Sequence, residues 1–329
     1  MLKRKLYSMF RFAVLICFLV GLFHTDLNAQ MWFLGQKGKK KSPFPVFKKH
    51  TSISFGAGSS HYIGDLVPVA GLFTVGAQTT RWNVGVNFTR HLSSNFSANL
   101  GLNYIRIAGD DSYFSPVGDW DANFRRNLHF RNDIKEMSLV GMYEIGGNPE
   151  NLKKRNVVSP YVYLGVSGFL HSPDARKQAT ANAAGNPVQG PWLSESNGSL
   201  LDYKNEGVDY SLMGVSIPFG VGFRYKINDA LDFGFDFGYR VALTDYLDDV
   251  TDIRNTVLPL SVGGSMLYTD RSGEPYAANT LVNRIPVPAS VSAPKISTGP
   301  DQYFTTQVRI IYHLRNKIDC QIGRASCRE

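Results

Sequence analysis

The chain has 329 residues, of which 43% are hydrophobic, 12% aromatic and 19% charged, with a formal net charge of +8. Of its three cysteines, Cys17 lies in an apolar leader and Cys327 in the last few residues, so the body keeps one thiol and an intramolecular disulfide is excluded. Beyond the leader no stretch offers the about twenty apolar residues that a membrane-crossing helix needs, so a helical membrane protein is excluded too.

The leader opens with Lys3, Arg4, Lys5 and Arg11, continues through an apolar run from Phe12 to Phe23, and reaches Leu27-Asn28-Ala29 before Gln30. That is the order of a secretory signal, so residues 1–29 are expected to be removed by cleavage between Ala29 and Gln30. Cys17 sits inside the apolar run behind the bulky Ile16, which argues against a lipoprotein signal. The leader carries +3 and the last residues +1, which leaves +4 for the rest. Much of this sits in Lys37, Lys39, Lys40, Lys41, Lys48 and Lys49, a basic arm over residues 30–50 suited to solvent, to an acidic periplasmic partner or to headgroups. An exported chain rarely meets nucleic acid, so nucleic acid is not an expected partner.

The expected barrel spans residues 51–320. Thr51 to Ser60 alternates Ile53, Phe55 and Ala57 with Ser52, Ser54, Gly56 and Gly58, a period of two that marks a strand. His61 to Arg81, with Gly64, Pro68, Gly71 and Gly76, reads as a loop. Trp82 to Phe88 and Phe96 to Tyr104 form a hairpin about Ser93-Ser94, and a polar, aspartate-rich loop follows from Gly109 to about Arg126. The fourth strand runs roughly from Leu128 to Ile145, and a connection with turn chemistry at Gly146, Gly147, Asn148 and Pro149 leads to the fifth, Pro160 to His171. In that fifth strand neither face is clearly the lipid one.

A long insert from Ser172 to about Leu212 precedes the clearest hairpin. Val215 to Ile227 and Leu231 to Leu243 each place an aliphatic or aromatic residue at every odd position, and only Asn228, Asp229 and Ala230 separate them. The other face carries Arg224, Lys226, Asp232, Asp236 and Arg240 with small residues, which suits a wall between lipid and a polar interior. A second insert, Thr251 to about Pro300, leads to the eighth strand, Tyr303 to Leu314. Residues 321–329, with Ile322 to Glu329 after a polar break, read as a non-native tail.

Connections run long, short, long, intermediate, long, short, long, the pattern of an even-numbered barrel with both ends in the periplasm. The fold class is therefore all-β, a transmembrane antiparallel up-and-down barrel of about eight strands with long extracellular loops. It is expected in the outer membrane, with lipid against its apolar face. An interior of this width is filled by side chains and offers no broad channel.

Three acidic clusters fall on the loop side: Asp65, Asp110 with Asp111, and Asp245 with Asp248 and Asp249. Arg125, Arg126 and Arg131 supply basic residues near them, so an Asp/Arg network pinning the loops to the rim is expected. Calcium is the alternative, since it takes six to eight oxygen ligands. Inside, Glu136, Glu144, Asp232, Asp236, Arg224, Lys226, Arg240 and Arg309 are expected to form ion pairs that plug the barrel. His61, His129, His171 and His313 are scattered, and neither a Gly-x-Ser-x-Gly elbow nor a His-Glu-x-x-His helix appears. No catalytic residue, cofactor, resident metal or small-molecule substrate is assigned, and a Ser/His lipid hydrolase or acyltransferase is the enzymatic alternative.

Ser60-His61-Tyr62-Ile63-Gly64-Asp65-Leu66, Gly109-Asp110-Asp111, Arg126-Asn127-Leu128-His129-Phe130-Arg131 with Glu136, Pro160-Tyr161 through Gly165-Val166, Ile217-Pro218-Phe219-Gly220 and Thr244-Asp245-Tyr246-Leu247-Asp248-Asp249-Val250 stand in order along the chain. Together they resemble the PorG-like family of outer-membrane proteins of Bacteroidetes. The resemblance spans nearly all of the expected barrel and departs from the family in the two long inserts and the basic arm. It implies a role in the type IX secretion system, with the periplasmic ring of a lipoprotein and its partner as the contact. The other class of function is a small OmpA-like barrel that binds at the surface or stabilises the envelope.

Overall fold

The computed structural model describes residues 47–114, 120, 123–124, 127–147, 154–177, 180–182, 187–196, 198, 200, 210–249 and 300–314. Ala29 and Gln30, the arm up to residue 46, residues 251–299 of the second insert and residues 315–329 lie outside the described residues.

Eight long strands follow one another: β1 (His50–Ile63), β2 (Arg81–His91), β3 (Phe96–Asp110), β4 (His129–Glu144), β5 (Val158–Leu170), β6 (Met213–Lys226), β7 (Leu231–Ala242) and β8 (Gln302–Leu314). Each pairs antiparallel with the next, and β1 pairs with β8, so the sheet closes on itself with no free edge. The β7–β8 ladder runs from Leu231 opposite Tyr312 to Val241 opposite Gln302 without a slip, so every inward residue of one strand meets an inward residue of the other.

The fold is thus a closed, eight-stranded antiparallel transmembrane barrel. Its strands of 11 to 16 residues reach or exceed the about 9–11 that a tilted strand needs to cross a bilayer.

Polarity is inverted relative to a soluble barrel. The even positions of β7, from Asp232 to Ala242, are buried, whereas Phe237 beside them is exposed. Outward residues such as Leu164 (62% exposed), Val221 (54%) and Val308 (46%) form a continuous apolar belt. Near the loop side the belt ends in a Trp82–Tyr104 stack, with ring centroids 5.3 Å apart and the Arg106 guanidinium over Trp82. Toward the turn side, Tyr143, Tyr225 and Tyr312 are exposed on the same outer face, so aromatic rings mark both margins.

The face of β5 that alternation left open is settled by its neighbour. Tyr161 and Tyr163 point inward because Gly222 and Gly220 of β6 stand directly opposite. A Cβ on either glycine would lie 2.7 Å from the facing tyrosine ring, so these glycines hold open the space that the rings fill.

Turn chemistry matches the short connections. Asn228 Oδ1 accepts the amides of Ala230 (2.8 Å) and Leu231 (2.9 Å), which tightens the β6–β7 turn. Ser93 Oγ accepts the Phe96 amide at 2.9 Å in the β2–β3 turn.

Some boundaries differ from expectation. β1 starts at His50, inside the stretch assigned to the arm, and β3 continues through Gly109 and Asp110. The segment read as a loop between β1 and β2 contains a helix, α1 (Val69–Thr79). Gly71, Gly76 and Pro68 spoke against it, and it has no side-chain cap. Tertiary packing overrides that weak propensity: Val75 is buried, and Gly71 lets the helix approach the Phe114 ring. Within the first insert, Pro173–Asp174 adds a two-residue strand to β4, and Thr180–Ala181 pairs with Pro187–Val188.

Candidate functional site: the plugged lumen and the sealed loop-side mouth

Asp232, Asp236 and Arg240 lie four residues apart on the inward row of β7, and each meets an opposite charge. Asp232 pairs with Arg155 at 2.5 Å, Asp236 with Arg309 at 2.6 Å, and Arg240 with Glu136 at 3.0 Å. Glu144 of β4 pairs with Arg224 of β6, spanning β5 on the inner face. All eight groups are largely or wholly buried, which is tolerable because each charge faces an opposite one.

Neutral partners complete the network. The Glu136 carboxylate also accepts from Asn103 Nδ2 and the Tyr303 hydroxyl, both at 3.0 Å, and Arg240 donates to Thr305 Oγ1 at 2.6 Å. Tyr161 donates to Asp236. A small polar cavity remains among Asn87, Asn99, Asn103, Ser138, Asp236 and Arg309.

Arg155 was not foreseen as a lumen residue. It enters from the β4–β5 connection and binds Asp232 together with the carbonyl oxygens of Asn228 (2.6 Å) and Asp229 (3.1 Å), tying one turn to the next. Lys226, expected inside the plug, pairs instead with Asp229 at the turn.

The loop-side mouth is closed by hydrophobic packing. Leu66 and Val67 after β1, Val75 of α1, Phe114, Phe124, Leu128 and Leu247 pack onto the inward Ile105, Ile107, Ile134, Phe169 and Tyr303. A soluble-type core therefore caps a polar lumen.

The rim aspartates fall into separate groups. Asp65 and Asp248 are buried around Tyr62, whose hydroxyl lies 2.8 Å from Asp248 Oδ2 and 2.6 Å from Oδ1 of Asp301, a residue the sequence reading missed. Asp245 is close enough to act electrostatically on Asp301. A tyrosine hydroxyl holds one proton, so a protonated Asp301 donating to Tyr62, which in turn donates to Asp248, satisfies both contacts. Burial, with Asp245 and Asp65 nearby, pushes the Asp301 carboxyl well above the usual carboxylate range, in keeping with that arrangement.

Asp110 and Asp111 serve the β3–β4 loop: Asp110 Oδ1 accepts the Ser112 amide at 2.8 Å, and Asp111 Oδ2 the Leu128 amide at 3.0 Å. Asp249, in the left-handed backbone region at φ 65°, accepts from Tyr210. Arg131 turns instead to the first insert, where it pairs with Asp174 at 2.9 Å and lies 4.0 Å over the Trp192 ring. Arg125 and Arg126 lie outside the described residues. Among the described residues no set of three carboxylates converges as a cation site would require; the cluster that does converge is His50, His91 and His313.

No family model and no curated protein matches the chain. Solved structures similar to it include OprG from Pseudomonas aeruginosa, at 10% identity over 82% of this chain and 99% of that one, with a TM-score of 0.36. Ail, the attachment invasion locus protein of Yersinia pestis, is 10% identical over 82% of this chain and all of that one, with a TM-score of 0.34. The N-terminal barrel domain of Pseudomonas aeruginosa OprF is 9% identical over 81% of this chain, with a TM-score of 0.30. At such values function has to be argued from the site's own geometry.

Proposed function

We propose that this chain is a non-catalytic barrel of the outer membrane, and that it works as a fixed anchor rather than as a conduit. The observation that carries this reading is the lumen, which among the described residues is filled by four buried ion pairs and capped by an apolar core. The surfaces left for partners are the turns, the loops and the arm.

The PorG-like resemblance supplies the partner in this proposal: the periplasmic ring of a type IX secretion system, a lipoprotein with its companion protein. The barrel holds that ring at the membrane through its short turns and the lysine-rich arm that leads into β1. Photo-crosslinkers at Asn95 and Asn228, both in short turns, test it against crosslinkers at Gly190 in the first insert. Ring proteins captured from the turns are expected. Capture confined to the insert, or turns that capture no ring protein, would overturn the assignment, and the former would favour an OmpA-like surface role.

A further inference from the structure

Three imidazoles meet at the turn-side mouth of the barrel. His50, the first residue of β1, stands opposite His91, the last of β2, and His313 of β8 stands opposite Ser52 on the other flank of β1. Their ring centroids lie 4.2 Å (His50–His91), 5.4 Å (His50–His313) and 5.7 Å (His91–His313) apart. Each offers a ring nitrogen within 4.8 Å of those of the other two.

The outer contacts of His313 and His50 fix which of their nitrogens holds a lone pair, and those of His91 allow either. His313 Nε2 is 2.7 Å from Asp232 Oδ2, so its proton is committed to the carboxylate, while Nδ1 is fully buried and has no hydrogen-bond partner. His50 Nδ1 lies 3.2 Å from the Lys48 carbonyl oxygen and must donate to it, which leaves Nε2 as the acceptor. His91 sits between two hydroxyls, Ser97 Oγ at 2.9 Å from Nδ1 and Ser52 Oγ at 3.1 Å from Nε2, and a hydroxyl adapts to either tautomer. Carboxylate and carbonyl acceptors behind the imidazoles are the usual outer shell of metal-bound histidines.

We propose that His50, His91 and His313 form a binding site for a divalent transition-metal ion. Three neutral nitrogen donors suit Zn²⁺, Cu²⁺ or Ni²⁺ and not Ca²⁺ or Mg²⁺, which take oxygen. Three protein ligands leave a fourth position open to water at the mouth. The neighbouring charges compensate one another: Asp232 is paired with Arg155, and Glu144, 3.8 Å from His91 Nδ1, with Arg224. His50 stacks on His91 with 16° between the rings, so to ligate an ion it must swing out of the stack. As a half-buried residue at a strand start, it has room to do so.

The test uses the tag-free full chain, folded in detergent and stripped with chelator. Calorimetric titration with Zn²⁺ should give one saturable site per chain, and Cu²⁺ should give an electron paramagnetic resonance spectrum split by three nitrogens. His50→Gln should lose the site while keeping the heat-modifiable gel migration of a folded barrel, and Asp232→Asn should weaken binding about 10–100-fold. No stoichiometric Zn²⁺ uptake, a copper spectrum with a single nitrogen, or unchanged binding in a folded His50→Gln variant would overturn the site. Should His50→Gln not fold, the nitrogen count of the unaltered chain decides.

Discussion

Arg240 shows what a single side chain does in this lumen. It is buried, held by Glu136 and Thr305, and it shares Glu136 with Tyr303 and Asn103. Arg240→Met leaves Glu136 buried without its counter-charge, so a loss of about 3–5 kcal/mol is expected in equilibrium unfolding from vesicles. Adding Glu136→Gln should recover part of it, and an unchanged midpoint in the single variant would remove the pair from the account. Asp301 behaves differently because its folded pKa is raised. Its contribution is fully present below the unfolded carboxylate pKa and fades as pH rises from there through the folded value. Loop proteolysis should therefore quicken over that rise, and Asp301→Asn should flatten the dependence. Glu136, Glu144, Arg224, Asp232, Asp236, Arg240 and Arg309 are legible as lumen residues from alternation, whereas Lys226 at a strand end is not. Arg155 and Asp301 were not, because they sit in connections where no period tells inside from outside.

β7 illustrates what an element can encode. Its odd positions are lipid-facing and its even positions carry the plug, both fixed by a period of two. The same logic gives a prediction for β8: Val308 is exposed at mid-strand, so Val308→Arg should cost about 2–4 kcal/mol of stability in a bilayer. Equal stability of this variant in vesicles would contradict a lipid-facing belt. α1 is the counter-example, a helix with weak local signals that forms because the mouth of the barrel offers its buried side an apolar partner. The orientation of β5 was likewise undecided by its own alternation and was set by the glycines facing it.

At the scale of the molecule, the described residues fill the barrel with ion pairs and cap its loop-side mouth with an apolar core. Reconstituted into planar bilayers, the protein should give no stepwise conductance; regular single-channel openings would refute the sealed lumen.

Strand number, the alternation of short and long connections and the two faces of most strands follow from the amino-acid sequence by itself, since side-chain period and turn residues are local properties of a chain. Only the tertiary structure decided which charges pair, that Arg155 reaches up from a turn, that Asp301 joins Tyr62, and that His50, His91 and His313 meet. Many of those residues stand far apart along the chain, and strand pairing brings them together, as the β1–β8 pairing does for His313 with His50 and for Asp301 with Tyr62.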